Sequence, residues 1–213
     1  MNRNLTEAIK VYSTKEFKET VETLSNFSQA TLISIFIDLL TLYFNDKNSS
    51  KLRELVTLWL CGWEPSMEKL GYNGYRMLFP SSIKEWCEVK PQNTNSTKKK
   101  LNGGGSFNDY TRERFEKDLK QNPTILTSGF VEGKIIFIFE FKFDCIRKKL
   151  EDVLNRRFPN RRKKGEYLRS AQFSFADYKE CSSLRLAFLR ENWKDYKNYL
   201  SKELINFFEK WQA

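Results

Sequence analysis

The chain has 213 residues, enough to fill one core with little room for a second independent domain. Its 37 Lys and Arg against 27 Asp and Glu leave a net charge of +10, which favours a polyanionic partner through phosphate neutralisation. Histidine is absent, which excludes Ser-His-Asp hydrolysis, Cys-His proteolysis and H-E-x-x-H metalloproteolysis, so any hydrolytic chemistry must rest on carboxylates, a metal ion and Lys, Arg or Tyr.

In chain order, residues 1–10 are polar and charged, without the apolar stretch of a secretory signal. Residues 5–61 read as helical. Phe17, Val21 and Leu24 recur at helical spacing, and Leu32, Ile33, Phe36, Ile37, Leu40 and Tyr43 make a strongly apolar helix with Ser28 as its N-cap and a break at residues 45–48. The apolar run 31–44 contains Asp38 and is too short to cross a bilayer, so the expectation is a cytoplasmic protein with no membrane partner. Leu52, Leu55, Val56, Leu58 and Trp59 give a further amphipathic helix, and a helical turn over 65–69 is expected to present Glu64. Cys61, Cys87, Cys145 and Cys181 are scattered without a C-x-x-C pair, which reads as reduced, mostly buried thiols.

Residues 72–90 read as a β-hairpin turning at Pro80-Ser81-Ser82. Residues 91–105 are polar, cationic and glycine-rich, and read as a mobile loop. A helix over 111–119 follows, then strands over 124–130 and 134–143 joined at Glu132-Gly133. The intervening helix implies a crossover and a mixed sheet. The last third reads as a basic helix (145–158), the cationic cluster Arg161, Arg162, Lys163 and Lys164, a strand (169–175) and a helix from about 191 to 211. Trp193, Tyr196, Leu200, Leu204, Phe207, Phe208 and Trp211 stripe that last helix, as core or as a dimer interface. The expected fold is α+β with an α/β-like core: a mixed sheet flanked by helices after a helical N-terminal region. One domain is expected over 1–213, with scaffold at 1–62, hairpin and core sheet at 63–143, and a basic, helical part at 144–213.

The hairpin ends in Glu88-Val89-Lys90. Glu88 and Lys90 share one face of the strand, and the turn at 80–82 brings Asn73 opposite them. Glu-x-Lys alone is common, and its plain reading is an exposed strand with a surface ion pair. Glu140-Phe141-Lys142 repeats the spacing, but its upstream acid, Glu132, lies on the same extended strand, roughly 25 Å away at about 3.3 Å per residue. Glu140 and Lys142 are therefore expected to pair with each other. With its turn, helical lead-in and cationic sequel, the 72–90 hairpin resembles the PD-(D/E)XK nuclease superfamily, and within it type II restriction endonucleases.

That resemblance implies a sheet of the restriction-endonuclease type and Mg²⁺-dependent cleavage of duplex DNA at a specific sequence, with Mn²⁺ or Ca²⁺ as substitute ions. Glu88, the main-chain carbonyl of Val89 and residue 73 would hold the metal, Lys90 would assist at the scissile phosphate, and Glu64 would add an oxygen ligand. The family carries an acid where this chain has Asn73. Either Glu64 compensates, or an Asp-to-Asn change silences cleavage and spares binding; the second reading is preferred. Phosphate contacts are expected from Lys98, Lys99, Lys100, Arg112, Arg114 and the 161–164 cluster, and base contacts from Gln92, Asn93, Asn95 or Asn102. Cutting both strands of a palindrome calls for a homodimer through the first helices or the last. The alternatives are a silent nucleic-acid-binding module, or a repair or junction nuclease on the same core.

Overall fold

The computed structural model describes residues 3–45, 50–67, 71–160 and 165–211. Four helices come first: α1 (Arg3–Thr14), α2 (Phe17–Ser25), α3 (Gln29–Asn45) and α4 (Lys51–Leu60). Ser28 caps α3 as expected, its Oγ accepting from the Thr31 amide at 3.2 Å. Most of the anticipated break after α3 lies outside the described residues. Of the helical turn expected over 65–69, residues 68 and 69 lie outside the described residues, and residues 65–67 are not helical. Glu64–Pro65 instead form a two-residue strand, β1, because the chain there pairs with the next strand's Gly74 and Tyr75.

The hairpin is present. Strands β2 (Gly74–Leu78) and β3 (Ile83–Thr94) pair antiparallel from Gly74↔Cys87 to Leu78↔Ile83, around a turn with a cis Phe79–Pro80 bond. β3 runs four residues past Lys90, so the expected mobile loop is largely a built structure. Leu101 is buried and bridges Leu200, and β4 (Gly105–Thr111) begins within the glycine run. Helix α5 (Arg112–Gln121) starts at Thr111, whose Oγ1 accepts from the Arg114 amide, and carries the chain over to β5 (Thr124–Val131), parallel to β3. β5 turns at Glu132-Gly133, both at positive φ, into antiparallel β6 (Lys134–Lys142).

After α6 (Asp144–Arg157), β7 (Tyr167–Phe173) pairs with β4 in a separate two-stranded sheet. β8 (Arg185–Leu189), which carries no strong sequence signal, adds an edge to β6. The long last helix is in fact a 3₁₀ segment (Trp193–Tyr199) and α7 (Lys202–Trp211), separated where Leu200 pairs with Leu101. The main sheet is mixed, six strands in the order β1-β2-β3-β5-β6-β8.

Both faces of the sheet are covered. Alternating Phe137, Phe139 and Phe141 meet Tyr178 and Phe208 on one face, while Ile138 meets Val56 of α4 on the other. Trp193, Leu204 and Phe208 are fully buried, so the last helix belongs to the core. The expectation of four reduced thiols is corrected as well: Cys145 and Cys181 form a disulfide that ties the start of α6 to the chain after β7. Cys61 and Cys87 are free, and burial pushes the Cys61 thiol up to about 12. No helix among the described residues is long and apolar enough to cross a membrane.

Candidate active site at the open edge of strand β3

β2 pairs with β3 only as far as Gly74↔Cys87. Beyond that point no strand among the described residues pairs with this edge of β3, and the edge faces a cleft of about 720 Å³ lined by residues 89–93, by Arg53 and Glu54 of α4, and by Lys99 and Lys100. Asn73 sits at the head of this edge, one position before the paired register, and its amide is used at both ends. Its Oδ1 accepts from the Val89 amide at 2.8 Å and its Nδ2 donates to Glu54 Oε2 at 3.2 Å. A backbone donor on one side and a carboxylate on the other fix the orientation of the amide. Ser50 donates to the other oxygen of Glu54 at 2.8 Å, which holds the carboxylate toward Asn73. A strand residue projects its N–H and C=O to the same side, so the Val89 carbonyl faces the same edge.

Glu88 and Lys90 project to the opposite face from Cys87 and Val89, toward α5 and β4. Their side chains meet at 2.6 Å and are only 10% and 15% exposed, so this is no surface pair. The Arg114 guanidinium lies 3.5 Å from Glu88, an ion pair without a formed hydrogen bond, and Arg114 Nε donates to Asp118 at 2.9 Å. Tyr72 donates its hydroxyl to Asp118 at 2.7 Å and lies under the Arg114 guanidinium. Burial raises the Asp118 carboxyl above its usual range, against the pull of Arg114. Lys90 Nζ lies 4.4 Å from the centre of the Phe107 ring. Gly105 makes this approach feasible, because a Cβ there would stand 2.7 Å from Lys90 Cβ and from Phe173 Cζ.

Asn73, Glu88, Val89 and Lys90 are thus brought together, while other anticipated residues are not. Glu64 is exposed on β1 opposite Tyr75, and the acid that reaches Asn73 is Glu54. Glu54 was legible only as part of an amphipathic scaffold helix; the available signal was an acid in the first turn, four residues after Ser50. Arg112 is buried against Glu166 and Asn155, and Arg114 is engaged with Asp118 and Glu88, so neither presents a free cation to a phosphate. Asn102 and Gln92 bond each other at 2.7 Å, and both also accept from main-chain amides of the glycine segment, so these amides hold the loop. Lys99 and Lys100 line the cleft; Lys98 is exposed beside it. Arg161, Arg162, Lys163 and Lys164 lie outside the described residues. Glu140 and Lys142 do not pair with each other: Glu140 holds Arg185 and Arg76, and Lys142 holds Glu85.

The described residues contain no group of three or more His, Cys, Asp or Glu side chains placed to hold a metal. They do offer two carboxylates, Glu54 and Glu88, flanking the Val89 main chain from the two faces of the sheet. Mg²⁺ commonly takes one or two carboxylates and fills its sphere with water and substrate phosphate oxygens, and Glu54 and Glu88 are the side chains that would supply them. The Asn73 amide nitrogen donates to Glu54 where an ion's positive charge would otherwise be felt. No family model matches the chain, and no curated protein matches it.

Proposed function

We propose that the chain is a Mg²⁺-dependent endonuclease of duplex DNA, of the type II restriction class, in which Asn73 suppresses cleavage and leaves DNA binding intact. The observation that carries this reading is the double engagement of Asn73, with Val89 N–H on one side and the Glu54 carboxylate on the other. An acid at position 73 would keep the bond from Val89 and set its second oxygen against Glu54. Two carboxylates so close repel unless a cation or a shared proton lies between them. Glu54, Glu88, the Val89 carbonyl and an acid at 73 would then hold the ion. When bound, such an ion supplies charge neutralisation at the scissile phosphate and an acidified water. Lys90, buried beside Glu88, offsets phosphate charge, and Lys99 and Lys100 attract the backbone into the cleft.

A second reading, a silent nucleic-acid-binding module, draws on a different observation. Glu88 is already compensated by Lys90 and Arg114 without any metal. The two readings part on one experiment, in which the chain and its Asn73→Asp variant are incubated with mixed duplex DNA with and without Mg²⁺. Discrete Mg²⁺-dependent fragments from the variant, lost on adding Glu88→Ala, are expected. Tight, salt-sensitive binding with no cutting by either protein would reject the nuclease in favour of the binding module.

A further inference from the structure

Helix α3 carries two apolar stripes, one packed on α1 and one exposed. Ile35, with Leu39 and Leu42, packs on Leu5, Ala8 and Ile9 of α1. The other stripe, Ile33, Phe36, Ile37, Leu40 and Tyr43, recurs every three or four residues and faces outward with Leu32 beside it, each residue 38–66% exposed. Over its 17 residues the helix has one charged side chain, Asp38. A helix apolar all round is normally buried.

We propose that this outer stripe of α3 is the interface with a second copy of the chain, the two α3 helices packing antiparallel about a two-fold axis near Phe36 and Ile37. Three arguments select that occupant. Such pairing is self-complementary, since Ile33 of one copy meets Leu40 of the other and no charge is placed against its like. The six exposed side chains present roughly 600 Å² per copy, so a pair that covered them fully would bury about 1,200 Å², the lower bound of specific, stable interfaces. A membrane surface is the poorer occupant, because interfacial helices carry Lys and Arg on their polar face and α3 has neither. The inference stands on the surface and not on the nuclease reading, and its readout needs no DNA.

The test is sedimentation velocity of the full chain between about 1 and 50 μM, with Phe36→Asp/Ile37→Asp compared at each concentration. The chain should sediment near twice 25.4 kDa and the double variant as a monomer, an association at least tenfold weaker, with its far-UV circular dichroism spectrum unchanged. Leu40→Glu provides the same comparison if the double variant fails to fold. A monomer throughout, a dimer that neither substitution weakens, or a monomer that pellets with phosphatidylcholine vesicles would each overturn the proposal.

Discussion

Cationic side chains do opposite work in this chain, and burial decides which. Arg112 is 9% exposed and its partner Glu166 only 1%, so the pair has left water. Truncating Arg112 strands a buried carboxylate, and Arg112→Ala should cost about 3–5 kcal/mol, read as a lower midpoint in urea. Lys99 and Lys100 stand in water at the cleft, where removing a charge disturbs no packing. Replacing both with Ala should leave the urea midpoint unchanged and lower the slope of log K against log salt for DNA binding by about 2. Glu54 belongs at this scale too. In the Asn73→Asp background, Glu54→Gln should reduce Mg²⁺-dependent cleavage at least tenfold while salt-sensitive binding persists, as gel shift and cleavage assays on one duplex would show.

Between elements, the hairpin and the strand beside it are held by charge at one end and by close approach at the other. Near the turn, Glu85 of β3 accepts from Arg76 of β2, from Lys142 of β6 and from Thr124 of β5, so one carboxylate links four strands. Burial alone would raise its pKa, but these hydrogen bonds outweigh burial and the net shift is downward from 4.5. A depressed folded-state value means that the stabilisation is present above the unfolded glutamate pKa and is lost as pH falls through the folded one. Stability should therefore fall as pH drops below about 4.5, and Glu85→Gln should flatten that part of the curve in urea titrations at stepped pH. At the other end β4 passes so close to Lys90 that Gly105 has no room for a methyl group. Gly105→Ala should cost about 1–3 kcal/mol by overpacking, with Lys90 displaced from the Phe107 ring.

For the whole molecule, the Cys145–Cys181 bond encloses 36 residues of sequence separation and anchors α6 to the segment that leads into β8. Closing a loop of that length removes enough unfolded-state entropy to stabilise by roughly 3–4 kcal/mol. Melting with and without reductant should show a corresponding drop, reproduced by Cys145→Ser in the absence of reductant. The six-stranded sheet lies in the middle of the chain, and the helices before it and after it cover opposite faces. The cleft forms where β2 ends early, a consequence of register across the whole sheet that no local segment carries.

The sequence by itself determined the helical start, the hairpin and its turn, the crossover helix with its flanking strands, and the shared face of Glu88 and Lys90. Each of these follows from local periodicity, turn chemistry or two-residue alternation. Only tertiary structure decided the rest. Residues 91–105 look like a loop by composition, yet Gln92 at the end of β3 holds Asn102 across ten residues and Leu101 bridges the distant Leu200. Composition likewise presents Arg112 and Arg114 as surface cations, whereas Glu166, 54 residues away, buries Arg112, and Glu88 of the neighbouring strand engages Arg114. Glu54 meets Asn73 across 19 residues, and Cys145 meets Cys181 across 36. Pairings at such separations depend on how helices settle on a sheet, and one-dimensional pattern holds no record of that packing.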